Sequence, residues 1–101
     1  MLESAYEQCL FYELGKRDIP AIAQLALPIV YDGHKIDAGY RIDLLVDDCV
    51  ILELKAIESL LPIHEAQLLT YLKLADKRLG LLINFNVPRL KDGIRRMMNG
   101  Y

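Results

Sequence analysis

The sequence predicts an α/β domain of the α+β kind, with the element order helix, strand, strand, strand, helix, strand, helix. Three observations predict it. Apolar residues recur at helical spacing in two segments, one near the start and one from Pro62 to about Ala75. Between them GYRIDLLVDDCVILELKAI, Gly39 to Ile57, alternates as two strands folded about an acidic turn. A continuous apolar run, LGLLINF from Leu79 to Phe85, has the length and composition of a strand covered on both faces.

The chain has 101 residues, which allows one domain, and 53% of them are hydrophobic, which argues for an ordered interior and against disorder. Net charge is -2 and the pI about 5.6, so no global basic field draws in nucleic acid. Phosphate, if bound, must be bound locally. Cys9 and Cys49 lie forty residues apart, without CxxC spacing or accompanying histidines. They read as reduced core or near-core thiols, not as a zinc or iron–sulfur site. No apolar run approaches about 18 residues free of charge, and no signal-like segment opens the chain. The expectation is a soluble, cytoplasmic protein.

In the first helix, Leu2 to about Lys16, the apolar stripe is Leu2, Ala5, Tyr6, Cys9, Leu10 and Leu14, with Gly15 and Pro20 as stop signals. Glu3 lies one turn from Tyr6, so it is either a first-turn charge favourable to the helix dipole or a carboxylate aimed at a site. Residues 22–31 (IAQLALPIVY) predict a strand that Pro28 confines to an edge or a bulge, followed by a turn at Asp32-Gly33. His34 beside that turn reads as a surface histidine. Pro62 suits a first helical position, and Gln67 and Tyr71 share a face of the helix that follows, where a glutamine capped by a tyrosine hydroxyl is also ordinary helix packing. Asn86-Val87-Pro88 breaks the last strand. From Arg89 to Asn99 the sequence predicts a short helix with Leu90, Ile94, Met97 and Met98 on one side and Arg89, Lys91, Arg95 and Arg96 on the other. That basic side could face phosphates or simply solvent.

The central hairpin carries the most chemistry. Alternation places Tyr40, Ile42, Leu44 and Val46 on one face and Arg41, Asp43 and Leu45 on the other. In the second strand Val50, Leu52, Leu54 and Ala56 form the apolar face, leaving Ile51, Glu53, Lys55 and Ile57 opposite. One face is thus expected to be core and the other charged. A three-residue loop, Asp47-Asp48-Cys49, pairs Val46 with Val50, Leu44 with Leu52 and Ile42 with Leu54. The same register sets Asp43 opposite Glu53 and Arg41 opposite Lys55, and burial opposes a one-residue slip. Two like charges so placed repel by about 0.2 to 1 kcal/mol at exposed sites. A divalent cation between them would remove the repulsion. Diagonal ion pairs, Asp43 to Lys55 and Arg41 to Glu53, would instead make a surface patch.

The element order together with D-x9-E-x-K at Asp43, Glu53 and Lys55 resembles the PD-(D/E)XK nuclease superfamily, whose core is a restriction-endonuclease-like mixed sheet flanked by helices. The match is closer to its small GxxExxY family: an E-x-x-Y first helix at Glu3 and Tyr6, the YRIDLLV and ELKAI strands, the HEAQLLTYLK helix, and LGLLINFNVPRLKDGIRR. Gln67 and Tyr71 look like the Q-x3-Y motif of RecB-type exonucleases in that superfamily. The proline of the superfamily name is replaced by Ile42. The glycine of the family signature would fall before Met1, so residues 1–101 are expected to form a single nuclease-like domain lacking an upstream helix.

This resemblance implies Asp43 and Glu53 as metal ligands and Lys55 as the residue orienting or activating the attacking water, with Gln67, Tyr71 and Glu3 as helpers. It implies Mg2+ or Mn2+ as cofactor, since the donors are all oxygen. The implied activity is hydrolysis of nucleic-acid phosphodiester bonds, in DNA ahead of RNA. The alternative is a catalytically silent binding or assembly subunit, with a second copy covering the surface left by the absent helix.

Overall fold

In the computed structural model, which describes residues 2–100, the chain is organised around a hairpin of β4 (Arg41–Val46) and β5 (Val50–Lys55). Its turn is the expected one. Val46 pairs with Val50, Leu45 with Ile51 and Leu44 with Leu52. Asp47 and Asp48 take positive φ, a conformation that aspartate tolerates better than most residues. Upstream, α1 (Glu3–Lys16) leads to β1 (Ala21–Ala26), which lies antiparallel on the outer side of β4. Downstream, α2 (Pro62–Ala75) is the crossover that returns the chain to β6 (Leu79–Asn84), parallel to β5. β7 (Ile94–Met98) then adds antiparallel to β6, giving one mixed sheet in the order β1-β4-β5-β6-β7.

The expected α+β class with a mixed sheet and flanking helices is what the chain adopts. Four details differ. The strand expected over 22–31 divides at Leu27-Pro28 into β1 and β2 (Ile29–Tyr31), and β2 folds back at Asp32-Gly33 onto β3 (His34–Ile36) as a separate two-stranded ribbon. Proline has no N–H to give a ladder, so the long strand cannot continue through it. The helix expected over Arg89–Asn99 is instead a 3-10 turn, Leu90–Gly93, followed by β7. The i, i+4 spacing of Leu90 and Ile94 imitated a helix, but the open edge of β6 offered Ile94–Met98 a complete ladder, and tertiary pairing overrode local pattern.

The third difference concerns the faces of the hairpin. Both faces are core. On one side α2 places Leu68, Tyr71 and Leu72 against Ile42, Leu45, Ile51 and Leu82. On the other, Leu10 and Leu14 of α1 pack on Leu44, Leu52, Leu54 and Ile83. Ile42 and Leu44, expected to share a face, therefore belong to opposite cores, and so do Ile42 and Leu54. The ladder recorded between β4 and β5 stops at Leu44 and Leu52, and beyond it β4 turns its side chains to the other layer. The cysteines differ as well: Cys9 and Cys49 are free thiols, but both are exposed.

Local chemistry sets the helix limits. Pro62 opens α2, and His64 Nδ1 accepts the Leu61 N–H at 2.9 Å. Asp76 ends it in the left-handed conformation, with the Lys77 N–H bonded to the Leu72 carbonyl at 2.9 Å. Gly80 lets the helix sit close to the sheet, since a Cβ there would stand 2.9 Å from Leu68 Cδ1.

Leu68 is fully buried between α2 and β6, whereas Ile63 on the same helix is 70% exposed. Leu68→Ala is therefore expected to lower stability by about 2–5 kcal/mol in urea denaturation. Ile63→Ala should stay within about 0.5 kcal/mol of wild type.

Candidate active site

Asp43 and Glu53 meet where the β4–β5 ladder ends. The Asp43 N–H donates to Glu53 Oε1 at 3.1 Å, and the Leu54 N–H donates to Asp43 Oδ2 at 2.8 Å. Each carboxylate thus accepts a main-chain proton from the opposite strand, in place of ladder bonds. The arrangement leaves no buried side-chain polar atom unpartnered among the described residues. Asp43 is half-buried and Glu53 only 5% exposed.

Neither diagonal ion pair forms: among the described residues Lys55, Arg41, Asp43 and Glu53 make no salt bridge within 4 Å. The charged surface patch is therefore not what the hairpin builds. Instead, burial and then the Asp43 charge push the Glu53 carboxyl from 4.5 up to about 8, and a side-chain hydrogen bond with Asp43 adds to the effect. The Asp43 N–H and the Lys55 charge pull in the opposite direction but do not prevail. At neutral pH the pair holds a proton in place of a full second negative charge.

On the α2 side, Tyr71 is buried and its hydroxyl accepts the Gln67 Nε2 proton at 3.1 Å. Burial, then Glu53 and Asp43, raise its pKa, so the hydroxyl stays neutral beside the carboxylates. Tyr40 packs edge-on against the same ring at 5.8 Å. On the α1 side, Glu3, Ser4, Glu7, Gln24 and Asp43 line a cleft of about 220 Å³. Asp43 is the member common to both sides. The structure thus brings Asp43, Glu53, Lys55, Tyr71 and Gln67 together around the end of the hairpin, with Glu3 in the adjoining cleft.

Several contributors were not read from the sequence. Glu7 sits one helical turn beyond Glu3 and could have been found by that spacing. Gln24 could not, because its place opposite Asp43 depends on β1 pairing with β4. Asn84, 2% exposed at the end of β6, accepts the N–H groups of Ile57 and Asn86 and donates to the Ile57 carbonyl at 2.9 Å. It fixes the loop that leaves Lys55, and its signal was an amide set inside an otherwise apolar run. Tyr6 of the E-x-x-Y motif stacks on Phe85 at 4.2 Å and so ties α1 to the end of the same strand.

The donor set fits a hard cation. Two carboxylates with oxygen donors alone suit Mg2+ or Mn2+ better than zinc. Among the described residues no three His, Cys, Asp or Glu side chains are gathered as a ready ligand set, so Asp43 and Glu53 are the two carboxylates that would hold such a cation. The basic segment after β6 contributes less than its sequence suggested: Arg95 pairs with Glu65 at 2.7 Å and Arg89 with Asp92 at 3.3 Å.

The protonated Glu53 has a consequence for stability. Between pH 4.5 and about 8 the folded chain keeps a proton that the unfolded chain has released. Stability is therefore expected to fall as pH rises through that window in metal-free buffer. Glu53→Gln should remove most of the fall. Urea denaturation at intervals across the window checks this; parallel profiles for the two proteins would contradict it.

The family model for the PD-(D/E)XK nuclease superfamily matches residues 1–97. Among solved structures, the crystal structure of SSO0001 superposes on 98% of this chain with a TM-score of 0.71 at 18% identity. The chain spans 51% of that structure's length, and the likeness is one of fold. No curated protein matches. With the D-x9-E-x-K residues converging at the end of one hairpin and the family model covering nearly the whole chain, the protein belongs to the PD-(D/E)XK nuclease superfamily.

Proposed function

We propose that this domain is a divalent-metal-dependent nuclease of the GxxExxY kind, hydrolysing phosphodiester bonds in DNA ahead of RNA. The observation that carries the reading is the Asp43–Glu53 pair: two carboxyls held together by the main chain, one of them buried, with a proton where a cation would relieve the repulsion. The preference for DNA rests on the resemblance of the motifs to DNA-processing relatives.

In this reading Asp43 and Glu53 hold Mg2+ or Mn2+. A cation there supplies charge stabilisation for the phosphoryl oxygens and lowers the pKa of water. Lys55, on the strand position two beyond Glu53 and without an ion-pair partner within 4 Å among the described residues, has its ammonium available for the attacking water or a phosphate oxygen. Tyr71 offers a neutral hydroxyl whose orientation Gln67 sets. Glu3, at the start of α1, adds a further carboxylate on the cleft side.

The competing reading, a silent subunit covered by a second copy, draws on α1. None of its residues is fully buried, and Phe11 and Tyr12 are 43% and 66% exposed. The carboxylate pair favours catalysis over it, since an assembly role has no need of a buried, proton-sharing acid.

Labelled single- and double-stranded DNA and RNA, incubated with Mg2+ or Mn2+, test the proposal. Wild type is expected to cleave DNA, chelation to abolish cleavage, and Lys55→Ala to slow it by about 100-fold or more while remaining folded. Equal inertness of wild type and Lys55→Ala on every substrate would defeat the nuclease reading.

A further inference from the structure

The β1–β4 ladder has one gap, and it lies at the active site. Ala23 pairs with Leu44 and Leu25 with Ile42, but Gln24 and Asp43, which face each other between them, do not pair. Gln24 has φ of +53°. Among the described non-glycine residues five others have positive φ, namely Asp18, Asp32, Asp47, Asp48 and Asp76, and all lie in turns or at helix ends. Gln24 is the exception both in residue type and in standing inside a strand. A left-handed backbone at such a residue is unfavourable and persists only where surrounding structure imposes it.

The distortion turns the Gln24 amide inward to the cleft. Its Nε2 donates to Glu7 Oε1 at 2.6 Å and lies 3.5 Å from Asp43 Oδ1. Oδ1 is the Asp43 oxygen left over once Oδ2 has accepted the Leu54 N–H. The amide therefore bridges α1 and β4, with one contact on each acid.

We infer that Gln24 is a positioning residue, whose strained backbone aims its amide at Asp43 and Glu7 so that the free Asp43 oxygen is held in the orientation that receives the cation. The inference rests on the metal-dependent reading above. A partner that orients a ligand's free atom affects metal affinity without touching the metal. Strain is retained because an unstrained strand would direct this side chain elsewhere.

Two variants separate the role from ordinary packing. Gln24→Ala and Gln24→Gly both delete the amide, but only glycine relieves the left-handed backbone. Thermal unfolding without metal should place Gln24→Gly about 4 °C above Gln24→Ala. In a Mn2+ titration followed by thermal shift, both should need about 10-fold more Mn2+ than wild type for the same stabilisation. Affinity would then be lost equally in the more and the less stable variant. Wild-type Mn2+ dependence in both variants, or recovery of affinity in Gln24→Gly alone, would overturn the positioning role and leave the nuclease reading standing. A wild type that shows no Mn2+ stabilisation would overturn both.

Discussion

The structure depends on two main-chain hydrogen bonds taken by acids. Where β4 and β5 would continue their ladder, Glu53 accepts the Asp43 N–H and Asp43 accepts the Leu54 N–H. A buried backbone donor left without a partner costs free energy, so these contacts are obligatory for the fold as built. They also press two carboxyls together in a partly water-excluded place. The contacts that end the hairpin bring the carboxylates together, and the resulting repulsion is relieved by a proton on Glu53; in the proposed function a cation would take that place.

The surrounding elements follow from that constraint. A carboxyl as buried as Glu53 requires cover, and α2 supplies it with Leu68, Tyr71 and Leu72 on one face of the sheet. The parallel crossover from β5 to β6 is what carries α2 over this face, and the same helix presents Tyr71 and Gln67 beside the acids. α1 covers the opposite face more sparsely, through Leu10 and Leu14, and leaves the cleft where Glu3 and Glu7 approach Asp43. Tyr6 on Phe85 and Asn84 on the Ile57 loop pin both flanks of the β5 and β6 ends. Lys55 ends β5 between these anchors, paired with Asn84.

Much of this was legible in the sequence. The hairpin turn, the Val46–Val50 register and the proximity of Asp43 to Glu53 followed from the placing of apolar residues on either side of the Asp47-Asp48-Cys49 loop. α2 was legible from its spacing and from Pro62. The opposite burial of Ile42 and Leu44 was not, since alternation assumes a regular strand and β4 departs from regularity where its ladder ends. β7 was misread because Leu90, Ile94 and Met98 fall at helical spacing, and the deciding factor was a strand edge far away in sequence. Gln24 stayed invisible for the same reason: its meaning comes from a β1–β4 pairing that no local pattern encodes.

In the proposed function the Asp43–Glu53 pair is a cation site whose place is taken by a proton in the metal-free chain. A crystal structure determined in saturating Mn2+, with anomalous data collected at the manganese edge, tests it most directly. An anomalous peak in coordination contact with both carboxylates is the expected result. No peak between the two carboxyls in saturating Mn2+ would contradict it.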